Sequence, residues 1–176
     1  MRNESVSQLL KRLNELSTES AVAEFLKCCG SVEWAQAMAR ARPFETTETL
    51  FERADAIFDQ LSDEDWLEAF RAHPKIGERK AAGAQSETAQ RWSAQEQSRT
   101  GEARAGVMDQ LADANREYEQ RFGFIFIVCA TGKTAEEMLM LLKSRIRNPP
   151  ADELRIAGDE QKKITHLRLQ KLLEQS

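Results

Sequence analysis

Three side chains in this sequence stand where a charge or a proton could be put to use. His73 precedes Pro74 at the end of an amphipathic stretch, Glu96 follows Ser93 by three residues, and Arg168 lies between Ile164 and Leu172. An imidazole exchanges protons near neutral pH, a carboxylate polarises a hydroxyl, and a guanidinium grips a planar anionic or carbonyl edge with two parallel hydrogen bonds. Each also has a purely structural role to offer. Imidazolium at a helix exit meets the negative end of the helix dipole. The run Ser93-Ala94-Gln95-Glu96 is a capping box, in which serine and glutamate each satisfy an amide of the other. Arg168 projects from an apolar helix face by its i, i+4, i+8 spacing with Ile164 and Leu172. A charge there needs a partner, either a fixed carboxylate or an anionic ligand, and the spacing does not choose between them.

Other chemistries are poorly served. Gly132, Lys133 and Thr134 follow an apolar run as they would in a phosphate-binding loop, but the spacing GxxxxGK[ST] demands glycine at 127, where Ile127 stands. A turn followed by a helix cap is the better account. His73 and His166 are the only histidines, and no Cys/His pair shows ligand spacing, so no metal site is expected. Cys129 sits inside the apolar run 124–130 and reads as a small buried hydrophobe; Cys28 and Cys29 are adjacent. Three cysteines without framework spacing argue against disulfides and for a reducing compartment.

The elements that must hold these residues are helical. Of 176 residues 41% are apolar and 31% charged, with only 8 glycines and 4 prolines, enough to fill one core and too few breakers for a loop-rich fold. Val6, Leu9, Leu10, Leu13 and Leu16 form one helical face, a second helix runs from Ser17 to a stop near Gly30, and Ser31 caps a third carrying Trp34 and Met38. Leu50, Phe51, Ala54, Ile57, Phe58 and Leu61 form a fourth, capped at Thr47, and Ser62 opens a fifth with Asp65 in a shortened capping box. That helix ends before Pro74, which puts His73 at its exit. From Lys75 to Trp92 no apolar period holds, and a long loop is expected. Helix resumes at Ser93, is interrupted near Gly101, and continues to Gly123 with Val107, Met108, Leu111, Ala114, Asn115 and Tyr118 on one face. Phe124 to Ala130 is β-branched, aromatic and short, hence a buried extended segment. Thr134 and Glu137 box the next helix, which Asn148, Pro149 and Pro150 close, and Asp152 starts the last. The expected architecture is all-α, a single compact multi-helix bundle domain over 1–176 with one short extended segment at 124–130.

The charge balance, 25 basic against 29 acidic residues for a net −4, lacks the basic excess of a nucleic-acid binder. No run approaches the ~18 apolar residues of a membrane span, the N-terminal segment has no signal-peptide pattern, and the C-terminus carries no peroxisomal tripeptide. A soluble, cytoplasmic protein is expected, without nucleic-acid or membrane partners.

Six short motifs in order carry a family resemblance: HPKIG at 73–77, SAQEQ at 93–97, NREY at 115–118, RFGFIFI at 121–127, RIRN at 145–148 and ITHLRL at 164–169. With ARPF at 41–44 and LSDEDWLEAFRAHP at 61–74, the sequence resembles the OHCU decarboxylases over most of its length. These act on 2-oxo-4-hydroxy-4-carboxy-5-ureidoimidazoline in urate degradation. The resemblance implies an all-helical domain, commonly a homodimer, that needs neither metal nor organic cofactor and yields (S)-allantoin and CO2. It places the family's catalytic histidine and glutamate on His73 and Glu96 and its substrate-binding arginine on Arg168. Further substrate contacts fall on Pro74, Ser93, Gln97 and the run Phe126, Ile127, Val128, Cys129 and Ala130. The sequence departs from the family pattern at Ile125, where proline is usual, and in SRTGEARAG after Gln97. Two other functions fit the same helical scaffold: a lyase or hydrolase acting on a related ureide, and a non-catalytic interaction module in which His73 and Glu96 are only caps.

Overall fold

Short polar signals set the helix starts. The structure, a computed structural model, describes residues 2–75 and 105–174, and among these it forms eight helices and no strand. They are α1 (Arg2–Glu15), α2 (Thr18–Cys28), α3 (Val32–Arg40), α4 (Thr47–Phe58), α5 (Asp63–Arg71), α6 (Ala105–Phe122), α7 (Ala135–Arg145) and α8 (Pro150–Glu174). The all-α expectation holds. Ser17 and Ser31 accept the amides of Ser20 and Trp34, and Thr134 and Glu137 form the expected reciprocal box. Ser62 and Asp65 do the same at 2.9 and 3.3 Å. Two boundaries differ from the sequence reading. The cap of α4 is Thr46, boxed with Thr49, because Thr47 already has helical geometry. The last helix starts at Pro150, not Asp152, since proline lacks only an amide that the first turn would leave unbonded anyway. The expected loop beyond Lys75 and the helix restarting at Ser93 lie outside the described residues.

The chain divides into two compact units, Met1–Ala69 with Lys162–Ser176, and Phe70–Gln161. In the first unit, α2 packs on α3 and α3 on α4. Its core is an aromatic cluster in which Phe25 meets Trp34 edge-on at 6.0 Å and Phe44 at 6.3 Å, and Trp34 tilts against Phe58 at 5.5 Å. The buried indole N–H of Trp34 finds the Ala54 carbonyl at 3.3 Å, as a buried donor must. ARPF has a structural role here. Arg42 Nη1 donates to the carbonyls of Leu13 and Leu16, both at 2.8 Å, closing the C-terminal end of α1, whose last carbonyls have no partner within the helix.

In the second unit α6 packs on α7, around a segment that is neither helix nor strand. Residues 124–130 are all buried, as the apolar run predicts. A buried backbone without a ladder must find other hydrogen-bond partners, and side chains supply them. Asn115 Oδ1 accepts from the Phe126 amide at 3.0 Å, and Glu160 Oε2 accepts from the Cys129 amide at 2.7 Å. Arg145 Nη1 donates to the Ile127 carbonyl and Lys133 Nζ to the Cys129 carbonyl, each at 2.8 Å. Lys133 is thereby the anchor of a turn through Gly132 (φ +81°), a left-handed conformation suited to glycine. The GKT sequence is a turn and a helix cap, as its spacing predicts.

Arg145 is positioned by a buried carboxylate. Glu153, with no exposed surface, accepts from Arg145 Nε at 2.8 Å, from Asn148 Nδ2 at 2.8 Å and from the Tyr118 hydroxyl, and it forms an ion pair with Arg145 Nη2 at 2.6 Å. The guanidinium also lies 4.6 Å from the Phe126 ring centroid, within cation–π range. Burial, then the hydrogen bond to Glu153, push the Tyr118 phenol far above its ordinary range, so it remains a donor. Breaking one side of a buried ion pair strands the other charge, which costs about 3–5 kcal/mol. Glu153→Gln is therefore expected to lower unfolding free energy by roughly that amount in chemical denaturation; a loss under ~1 kcal/mol, the worth of an exposed pair, would show that the network is solvated.

Candidate active site

His73 leaves α5 as the sequence predicts. Its amide donates to the Phe70 carbonyl at 3.1 Å, ending the helix through the backbone. The ring does something else: Nε2 lies 2.7 Å from Gln161 Oε1 on α8. Pro74 follows, half-buried, and Lys75 pairs with Glu119 at 2.7 Å. Within the same unit, the Glu160 carboxylate holds the Cys129 amide. Consecutive residues of α8 thus hold His73 and the run 126–130, parts of the sequence-predicted site that lie among the described residues of the Phe70–Gln161 unit. Neither Glu160 nor Gln161 is singled out by the sequence motifs. The one signal is phase: Glu153, Ala157, Gln161, Thr165 and Leu169 recur every four residues and all are buried, so polar residues interrupt an otherwise inward face.

In the run itself, the Phe126 and Cys129 amides are committed to Asn115 and Glu160. A ligand would draw on the amides of Ile127, Val128 and Ala130. Ser93, Glu96 and Gln97 lie outside the described residues.

Arg168 belongs to the other unit. It is 2% exposed, with Ile164 buried and Leu172 half-buried, so the expectation of an inward-facing guanidinium holds, although the buried stripe centres one residue along, on Thr165, Leu169 and Leu173. Its charge bears on Cys28 and Cys29. Burial raises both thiols, and for each Arg168 is among the influences that pull the other way. Burial wins: the Cys29 thiol is pushed up to about 11, with its hydrogen bond to the Ser31 backbone the largest opposing influence. Such thiols are poor nucleophiles at neutral pH. Cys129 is buried too. His166 engages Asp55 at 2.7 Å beside the Phe51 ring, a pairing the sequence does not reveal.

The family profile of OHCU decarboxylase matches residues 14–170. The chain belongs to that family. It is similar to the uric acid degradation bifunctional protein TTL of Arabidopsis thaliana, 41% identical over 157 residues that cover 89% of this chain and 48% of that protein. The chain thus spans about half the length of that relative. It is also similar to the 2-oxo-4-hydroxy-4-carboxy-5-ureidoimidazoline decarboxylase of Amia calva, at 32% identity over 94% of each chain. Among solved structures, a crystal structure of OHCU decarboxylase in the presence of (S)-allantoin superposes with a TM-score of 0.75 at 41% identity, covering 87% of this chain and 99% of that one.

With the geometry in hand, three of the motifs that carry the family resemblance divide by role. NREY supplies Asn115 and Tyr118, RIRN supplies Arg145 and Asn148, and both support RFGFIFI through Glu153 or directly. Their side chains hold the buried run in place.

The raised thiols of Cys28 and Cys29 give the unit that contains them, Met1–Ala69 with Lys162–Ser176, an alkaline signature. A thiol whose folded pKa exceeds its unfolded value contributes its full stability below the unfolded pKa, and that contribution is lost as pH rises through the folded one. For Cys29 the window runs from the ordinary 9.0 to about 11. Urea unfolding is expected to show a lower midpoint at ~pH 10.5 than at ~pH 8, with Cys29→Ala reducing the drop by roughly 1–2 kcal/mol. An unchanged slope in the variant would mean that the native thiol ionises as freely as the unfolded one.

Proposed function

We propose that this chain is a carboxy-lyase acting as a single functional domain, which decarboxylates 2-oxo-4-hydroxy-4-carboxy-5-ureidoimidazoline to (S)-allantoin and CO2 without a cofactor, as part of urate breakdown. The observation that carries this is a family histidine, His73, seated on a buried amide in the same unit as the anchored run 126–130. The name of the Amia calva relative and the (S)-allantoin present with the solved structure support it.

Decarboxylation leaves an electron pair on carbon, and without a cofactor the substrate must accept that pair itself. In the ureidoimidazoline a ring C=N lies beside the carbon that loses its carboxylate. As the C–C bond to the carboxylate breaks, its pair becomes a C=C bond between the two ring carbons, and the C=N pair moves to nitrogen, which takes a proton. The resulting enol then loses its hydroxyl proton and gains one at the ureido-bearing carbon. One proton is consumed overall. Arg168 grips an anionic or carbonyl edge of the substrate by a planar fork, while Pro74, Ser93, Gln97 and the backbone of 126–130 complete the contacts. Glu96 polarises the hydroxyl, and His73 delivers the proton to one face, which sets the (S) configuration. Groups placed in this way contribute ~10²–10⁴ in rate. A cytoplasmic location and a homodimeric assembly are part of the same proposal; no described helix is long and apolar enough to cross a membrane.

Freshly generated substrate added to the purified chain is expected to release CO2 and accumulate (S)-allantoin as the single enantiomer, resolved by chiral chromatography, at the same rate after exhaustive EDTA treatment. Release no faster than the spontaneous reaction would overturn the assignment, and loss of turnover in EDTA restored by a divalent ion would overturn the cofactor-free mechanism. Arg168→Lys keeps the charge and loses the fork; kcat/KM is expected to fall at least ~10-fold, the worth of one charge-assisted hydrogen bond, and full activity in that variant would remove Arg168 from substrate binding.

A further inference from the structure

Gln161 has only 1% of its surface exposed, and its amide oxygen stands 2.7 Å from His73 Nε2, from a position 88 residues along the chain. An amide so buried is unfavourable unless its polar atoms are engaged. An amide oxygen has lone pairs and no hydrogen, so the ring nitrogen facing it must carry the proton. A hydrogen bond of this kind fixes which ring nitrogen bears the hydrogen.

We propose that Gln161 is a positioning residue, which by accepting from Nε2–H fixes the ring orientation and tautomer with which His73 exchanges a proton with the substrate. The identity of that substrate rests on the decarboxylase assignment, while the tautomer does not. A hydrogen bond to the second ring nitrogen is how enzymes set the nitrogen that reacts.

The chain has two histidines, so nitrogen-15 NMR of labelled protein resolves two imidazoles, and His166→Gln assigns them without touching the site. His73 of the wild-type protein is expected as a single Nε2–H tautomer whose ring proton exchanges slowly enough to be seen. Gln161→Met, close in volume and without an acceptor, is expected to lose that proton signal and return the ring to a mixture of tautomers. With the ureidoimidazoline, its kcat is expected to fall at least ~10-fold with KM within ~2-fold, since a misoriented proton donor costs the chemical step and not binding. Gln161→Glu, which retains an oxygen acceptor, is expected to keep the Nε2–H signal. An Nδ1–H tautomer in the wild-type spectrum would overturn the proposal even if no variant folds, as would a Gln161→Met protein with unchanged ring signals and kcat. Absence of turnover in the wild type would count against the decarboxylase assignment alone, because the ring signals decide the role of Gln161 independently.

Discussion

A seven-residue backbone run buried with no strand beside it among the described residues is the constraint around which the Phe70–Gln161 unit is organised. Residues 124–130 are apolar enough to be driven inside, but each amide and carbonyl carried inward must be bonded or it costs more than the burial of a methyl group returns. A sheet would meet that need with a neighbouring strand. Here individual side chains do so: Asn115 from α6, Arg145 from α7, Glu160 from α8 and Lys133 from the turn. Three of the four are charged, and hydrogen bonds to charged groups are shorter and stronger than neutral ones. The run is consequently held at specific atoms, and the amides that remain point where three helices put them.

That arrangement explains why so much charge is buried in a small unit. Arg145 reaches the Ile127 carbonyl only because Glu153 neutralises it, and Glu153 is itself shared with Tyr118 and Asn148. Exchanging the pair for apolar residues of equal volume would not necessarily weaken the fold. It would, however, release the carbonyl. The network is better understood as the means of placing a backbone segment than as a source of stability.

Local signals were legible in the sequence because they are local. A capping box spans four residues, so Thr134 with Glu137 and Ser62 with Asp65 could be identified from spacing alone. The shift from Thr47 to Thr46 shows the limit of that logic where two threonines compete for one cap. Burial of 124–130 followed from composition, and the inward face of Arg168 from a period of four. What the motifs do was not legible. Asn115 and Arg145 stand in recognisable motifs, yet their work lies in contacts 11 and 18 residues away, and no pattern in the chain says that a motif residue supports another motif. Gln161 is harder still, since its partner lies 88 residues away and glutamine in a helix is ordinary by propensity.

The same distinction bears on how the proposed cofactor-free reaction is to be run. Its transition state gains from groups already in place, since dipoles that must turn during the reaction spend part of their stabilisation on turning. An imidazole has two nitrogens and rotates about two bonds, so it is the least self-positioned of the proposed groups. A guanidinium by contrast keeps all five of its N–H groups in one plane. It follows that the histidine, more than the arginine, requires a dedicated neighbour, and that the neighbour should be neutral, fixed in a helix and buried. Gln161 meets each of these conditions. A helix that carries Glu160 toward the backbone run and Gln161 toward His73 sets both in register by a single rigid element, so that the run and the proposed proton donor cannot drift apart independently.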